Sequence, residues 1–100
     1  MRAQRKQIRQ GSSMTAEQLL EQAASVVRER RRTYGQSREL FERVAVRWSQ
    51  LLGATVTPAQ VVVCLVDLKV ARLAHDPRHL DSIADAAGSA AILVELPDDA

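Results

Sequence analysis

The segment Thr57-Pro58-Ala59-Gln60, running into Val61–Val66, constrains the fold more than any other part of the chain. A threonine can cap a helix, a proline next to it already has helical φ and needs no amide donor, and a glutamine three places on can return to the cap backbone. Three consecutive valines would favour a strand on intrinsic preference alone. Leu65, Leu68, Ala71 and Leu73 instead sustain a helical period, so the spacing predicts a helix from Thr57 to about His75. Its apolar density implies burial on most of its surface. Asp67, Lys69 and Arg72 interrupt the run long before the roughly 18 apolar residues that a membrane span requires. Inside an apolar helix those charges must be paired or hydrated.

Three further helices are expected around this one. Thr15 and Gln18 have capping-box spacing, and Leu19, Leu20, Ala23, Ala24, Val26 and Val27 recur helically up to Arg32. Arg28, Arg30, Arg31 and Arg32 place positive charge at the helix end, where the macrodipole favours it. Gly35 marks a break. Ser37 is positioned to cap a second helix through Leu52, with Leu40, Phe41, Val44, Ala45, Trp48 and Leu51 in one stripe, and Gly53 ends it. Asp76-Pro77 repeats the cap-then-proline device and begins a fourth helix containing Ile83, Ala84, Ala87, Ala91, Ile92 and Val94, which Pro97 stops. Gly88, Ser89, Ala90 and Ala91 keep its middle slender, so another helix can approach closely. The fold class is therefore all-α, a four-helix bundle-like domain with short links and largely antiparallel neighbours.

A chain of 100 residues holds one domain, and only three aromatics (Tyr34, Phe41, Trp48) are available to its core. A core of Leu, Val, Ile and Ala will be lean, and completion by a second copy, a homodimer, is expected. Phe41 and Trp48 are assigned to that core. A single cysteine, Cys64, excludes an intrachain disulfide; its apolar neighbours suggest burial. Residues 1–13 carry Arg2, Arg5, Lys6 and Arg9 without an acid and read as a basic tail. Residues 14–97 are the helical domain and 98–100 an acidic end. The formal charge of +2 thus joins a +4 tail to a remainder of −2. Contact with nucleic acid is expected to be confined to weak attachment through the tail. No apolar segment follows the basic N-terminus as in a secretory signal, which makes the cytoplasm the expected location.

Chemistry concentrates in Asp67, Lys69 and Arg72, then His79, Asp81 and Asp85. Asp81 and Asp85 lie one turn apart on one helix face, a like-charge spacing that needs a neutralising partner. Mg²⁺ held by Asp67, Asp81 and Asp85, with Lys69 and Arg72 on phosphate oxygens, is one solution. A salt bridge from Asp67 or Asp85 to Lys69 or Arg72, locking the third and fourth helices together, is the other. His79 sits near a helix start, where capping competes with catalysis. Tyr34 and Gly35 beside Arg28, Arg30, Arg31 and Arg32 form either an anion-binding corner or a plug at the bundle end.

The succession Thr33-Tyr34-Gly35, Phe41, Ala45, Trp48-Ser49, Leu52-Gly53, Val61, Leu68-Lys69, Ala71-Arg72, His79, Asp81-Ser82, Asp85 and Ala87-Gly88 resembles a family of small uncharacterised domains encoded by tailed phages and prophages. The resemblance spans about residues 17–93 and implies no function. More distantly, the layout is similar to the all-α MazG-like nucleoside triphosphate pyrophosphatases, in which acidic side chains on neighbouring helices hold Mg²⁺ over a nucleotide phosphate chain. That group's Glu-Glu-Xaa-Xaa-Glu motif is represented here only by Glu39 and Glu42, and its later Glu-Xaa-Xaa-Asp by Asp81 and Asp85.

Two functional readings follow. In one, a phage-like protein binds or hydrolyses nucleoside triphosphates or modified nucleotides with a divalent cation. Asp67, Asp81, Asp85 and His79 would be catalytic, and Lys69, Arg72 and Tyr34 would contact the ligand. In the other, a non-enzymatic accessory module binds a protein partner, and the ionic residues serve architecture.

Overall fold

The computed structural model describes residues 14–97. Among the described residues there are four helices, α1 (Ala16–Tyr34), α2 (Ser37–Leu52), α3 (Pro58–His75) and α4 (Leu80–Ile92), followed by one 3-10 turn at Leu93–Glu95. They pack as an all-α bundle. Both the basic tail and the acidic end expected from the sequence lie outside the described residues.

Local chemistry accounts for most of the boundaries. The Thr15 and Thr57 hydroxyls accept the Gln18 and Gln60 backbone N–H groups at 3.1 Å, and each glutamine side chain accepts the threonine N–H in return at 2.9 Å. Each box satisfies two of the amide donors that a helix start leaves over. Helix α1 runs two residues beyond Arg32, to Tyr34, and stops where Gly35 turns to φ +88°. Helix α2 stops at Gly53, in the left-handed conformation at φ +69°, a region with little cost only for glycine.

Two start signals behave differently from expectation. Ser37 is already helical; Gln36 is the cap residue of α2 and offers no side-chain hydrogen bond. Asp76-Pro77 does not begin α4. The Asp76 amide is bound to the Arg72 carbonyl at 3.0 Å, and its carboxylate accepts the Arg78 N–H at 3.3 Å. Asp76 is thus committed to closing α3 and shaping the turn. His79 caps α4 instead, its Nδ1 accepting the Ser82 backbone N–H at 3.2 Å.

Helix α4 is the hub. It packs against α3 and α1, and α2 packs against α3, whereas α1 and α2 touch only slightly. The close approach of α1 is made at Gly88, where an added Cβ would stand 3.2 Å from Val27 Cγ2. Val62, Ile92 and Leu96 form the buried cluster, with Val27, Phe41, Ala59 and Val66 packed around it. Among the described residues buried apolar side chains are few and mostly small: alanines 23, 45 and 84 join the fully buried Val61 and Val62 and the cluster of Ile92 and Leu96. The radius of gyration, 15.3 Å, exceeds the roughly 12–13 Å of a close-packed domain of this length. Cys64 is exposed, because α3 turns that side away from α2 and α4 despite its apolar neighbours. No helix among the described residues is long and apolar enough to cross a membrane.

Candidate functional site

The acids divide by helix face. Asp85 faces inward on α4 and is 8% exposed, whereas Asp67 and Asp81 are exposed. Asp85 Oδ2 lies 2.9 Å from Lys69 Nζ on α3, and Oδ1 lies 3.4 Å from Arg30 Nη2 on α1. Both carboxylate oxygens are therefore engaged by cations from the two helices that flank α4. Removing a carboxylate from water is costly unless its lone pairs are met in this way. Lys69 is itself held to 20% exposure, which strengthens the pair relative to one in open solvent.

The remaining sequence-selected residues stand apart from this junction. Asp81 lies in the first turn of α4, where its negative charge favours the helix N-terminus. Arg72 is exposed in the last turn of α3. His79 is occupied by capping: Ser82, almost wholly buried, places its backbone N–H and its hydroxyl on the same Nδ1, the latter at 2.8 Å. Among the described residues, no three His, Cys, Asp or Glu side chains are grouped to hold a metal ion. Of the two solutions open to the sequence, the geometry brings together the salt bridge between Asp85 and Lys69.

A second feature lies between α1 and α2. Their weak mutual packing leaves a cavity of about 500 Å³, floored by α4 and by Leu65 of α3. Val26, Leu40, Phe41, Val44, Trp48 and Ile92 supply its apolar wall. The aromatics assigned to the core, Phe41 and Trp48, are thus only partly buried and line an open space. Arg30, Arg31 and Tyr34 also line it, and Tyr34 is exposed. Arg31 donates to Glu95 at 2.7 Å through Nη2, while its Nε is buried with no hydrogen-bond partner. Arg32 pairs with Glu29 along the surface.

Arg30 is the residue that sequence reasoning left out of the Asp85 junction. Its signal was the α1/α4 register: three residues after Val27 comes Arg30, and three residues before Gly88 comes Asp85. Val27 meets Gly88 in the structure, and Arg30 and Asp85, each three residues from that contact, lie within reach of one another.

Comparison with known proteins agrees with a phage-associated domain. The Gene 55 protein of Mycobacterium phage L5 is 36% identical over 74 residues, covering 71% of this chain and 47% of that protein. The Gene 55 protein of Mycobacterium phage D29 is 33% identical over 76 residues, covering 75% of this chain and 50% of that protein. The chain thus spans about half the length of the curated relatives it matches. No solved structure matches it. None of these matches is to a MazG-like pyrophosphatase, so that likeness finds no support. Residues 18–97 match a domain of unknown function, DUF6378, and the chain belongs to that family.

Proposed function

We propose that this chain is a non-enzymatic accessory module that works through protein contacts, its buried ionic junction serving architecture. The observation that carries this reading is the occupation of Asp85, whose two oxygens face Lys69 and Arg30. A metal-bearing site would need that carboxylate open and joined by other acids, and Asp67 and Asp81 are turned to solvent. Titrating the full chain calorimetrically with nucleoside triphosphates and Mg²⁺ tests the reading. No heat of binding and no pyrophosphate release are expected; turnover would replace it with the metal-dependent alternative.

The first partner proposed is a second copy. Support comes from α3, whose outward side carries Val63, Cys64, Leu68 and Val70 exposed. Asp67, Ala71 and His75 lie one turn apart there and are exposed. In a two-fold interface residue i meets j and j meets i. An antiparallel crossing at Ala71 would set Asp67 of each copy opposite His75 of the other, around a small contact residue. Light scattering at micromolar concentration should give a dimer mass, and Ala71→Glu should give a monomer that stays folded by circular dichroism. A monomeric mass for the unmodified chain rejects this partner.

A further inference from the structure

The cavity between α1 and α2 has a composition that the interaction reading does not use. Its volume of about 500 Å³ falls within the range of about 300–1,000 Å³ usual for small-molecule sites. Its wall is built from branched aliphatic residues with Phe41 and Trp48, and Ser37 and Ser89 add only hydroxyls. A ligand body rich in hydrogen-bonding edges, such as a nucleobase, would leave those edges unmatched against this wall. An alkyl or simple aromatic body would not.

The polar side is equally one-sided. Two arginines line the cavity against a single acid, Asp85, which Lys69 already neutralises. Arg30 is 56% exposed and touches Asp85 only at 3.4 Å, so most of its five N–H donors are uncommitted. Arg31 is held by Glu95 through Nη2 at 2.7 Å, which leaves its buried Nε–H without an acceptor beside the cavity it lines. Tyr34, 64% exposed, lines the same cavity as both arginines.

We infer that this cavity binds a lipophilic carboxylic acid, with the apolar body between α1 and α2 and the carboxylate on Arg30 and Arg31. The inference goes beyond the accessory reading and does not depend on dimer formation. Charge-assisted arginine–carboxylate contacts give orientation as well as affinity, and the apolar wall favours chain length without reading sequence or base identity.

Trp48 is the chain's one tryptophan, so its emission reports directly on occupancy. The full chain is titrated with decanoate, decanol and decylammonium below their micelle concentrations, following Trp48 fluorescence and calorimetric heat. Decanoate should saturate at one per chain and bind at least about tenfold more tightly than decanol, with decylammonium weakest. Arg31→Met, which keeps an apolar stem, should lose about tenfold in decanoate affinity while leaving decanol unchanged. The Arg31 Nε–H resonance should move on decanoate addition, a readout that does not rely on a variant folding. Equal binding of the three probes, or none, overturns the inference.

Discussion

Lys69 Nζ and Asp85 Oδ2 meet at 2.9 Å between α3 and α4, with Asp85 only 8% exposed. The pair fastens α3 to the hub of the bundle. It also explains why a lysine can occupy the inward side of α3, next to Val62 and Val66 in the helical period. Each charge makes the other's burial tolerable, and neither would be stable there alone.

Breaking the pair from one side should therefore cost more than replacing both partners. Asp85→Leu leaves Lys69 facing an apolar junction and should lose about 2–3 kcal/mol, below the roughly 3–5 kcal/mol of fully buried pairs because Lys69 retains some water. The double variant Asp85→Leu/Lys69→Met should recover at least half of that loss, since two apolar side chains satisfy each other. Urea unfolding of the four members of the cycle measures the coupling. Additive losses would show that the two side chains do not interact.

Two buried or half-buried serines have local duties that alanine would expose. The Ser49 hydroxyl accepts the Val56 N–H at 2.8 Å and lies 2.8 Å from the Ala45 carbonyl, tying the α2–α3 link back onto α2. Ser49→Ala should cost about 1–2 kcal/mol by leaving the Val56 amide without its partner. Ser82→Ala keeps the backbone cap on His79 and should cost less, about 1 kcal/mol. Chemical denaturation of the two variants should preserve that order; a larger loss for Ser82→Ala would mean that its hydroxyl, not its amide, secures the start of α4.

The helix ends give a third test. Thr57→Ala removes the hydroxyl acceptor of the Gln60 amide and should destabilise by about 1 kcal/mol. Gly53→Ala forces a side chain into φ +69°, although nothing lies within 4 Å of the added carbon. Its cost should be about 1–2 kcal/mol and purely conformational. Gly53→Asn, which tolerates that region better, should recover part of it. Midpoints of thermal unfolding measured side by side rank the three variants, and an unaffected Gly53→Ala would contradict the conformational account.

How much of this was legible in the sequence follows from the range of each interaction. Capping boxes at Thr15 and Thr57, the glycine ends of α1 and α2, and the helical period across the valine run all act within one or two turns, and the structure repeats them. The start of α4 was misjudged because Asp76 had two local uses, and closing α3 took precedence over capping the next helix. Which acid turns inward depends on how α4 rolls against α1 and α3, so Asp81 and Asp85, one turn apart, could not be separated by spacing. Exposure of Cys64 and the incomplete burial of Trp48 have the same origin. An apolar residue is buried only where a neighbouring helix covers it, and α1 and α2 leave a gap.

Several residues that carry the phage-family resemblance therefore have structural duties: Gly35 and Gly53 as helix ends, Ser49 in the link, Lys69 with Asp85, His79 with Ser82, and Gly88 at the close contact with α1. They define a scaffold. None of these duties requires a substrate.

The most direct test of that view is urea unfolding of the unmodified chain and of Asp85→Asn, each with and without Mg²⁺ and a nucleoside triphosphate. An architectural Asp85 predicts that Asp85→Asn lowers the midpoint by the same amount in both conditions, and that Mg²⁺ with nucleotide leaves the unmodified chain where it was. A midpoint raised by Mg²⁺ and nucleotide in the unmodified chain, and not in Asp85→Asn, would contradict it.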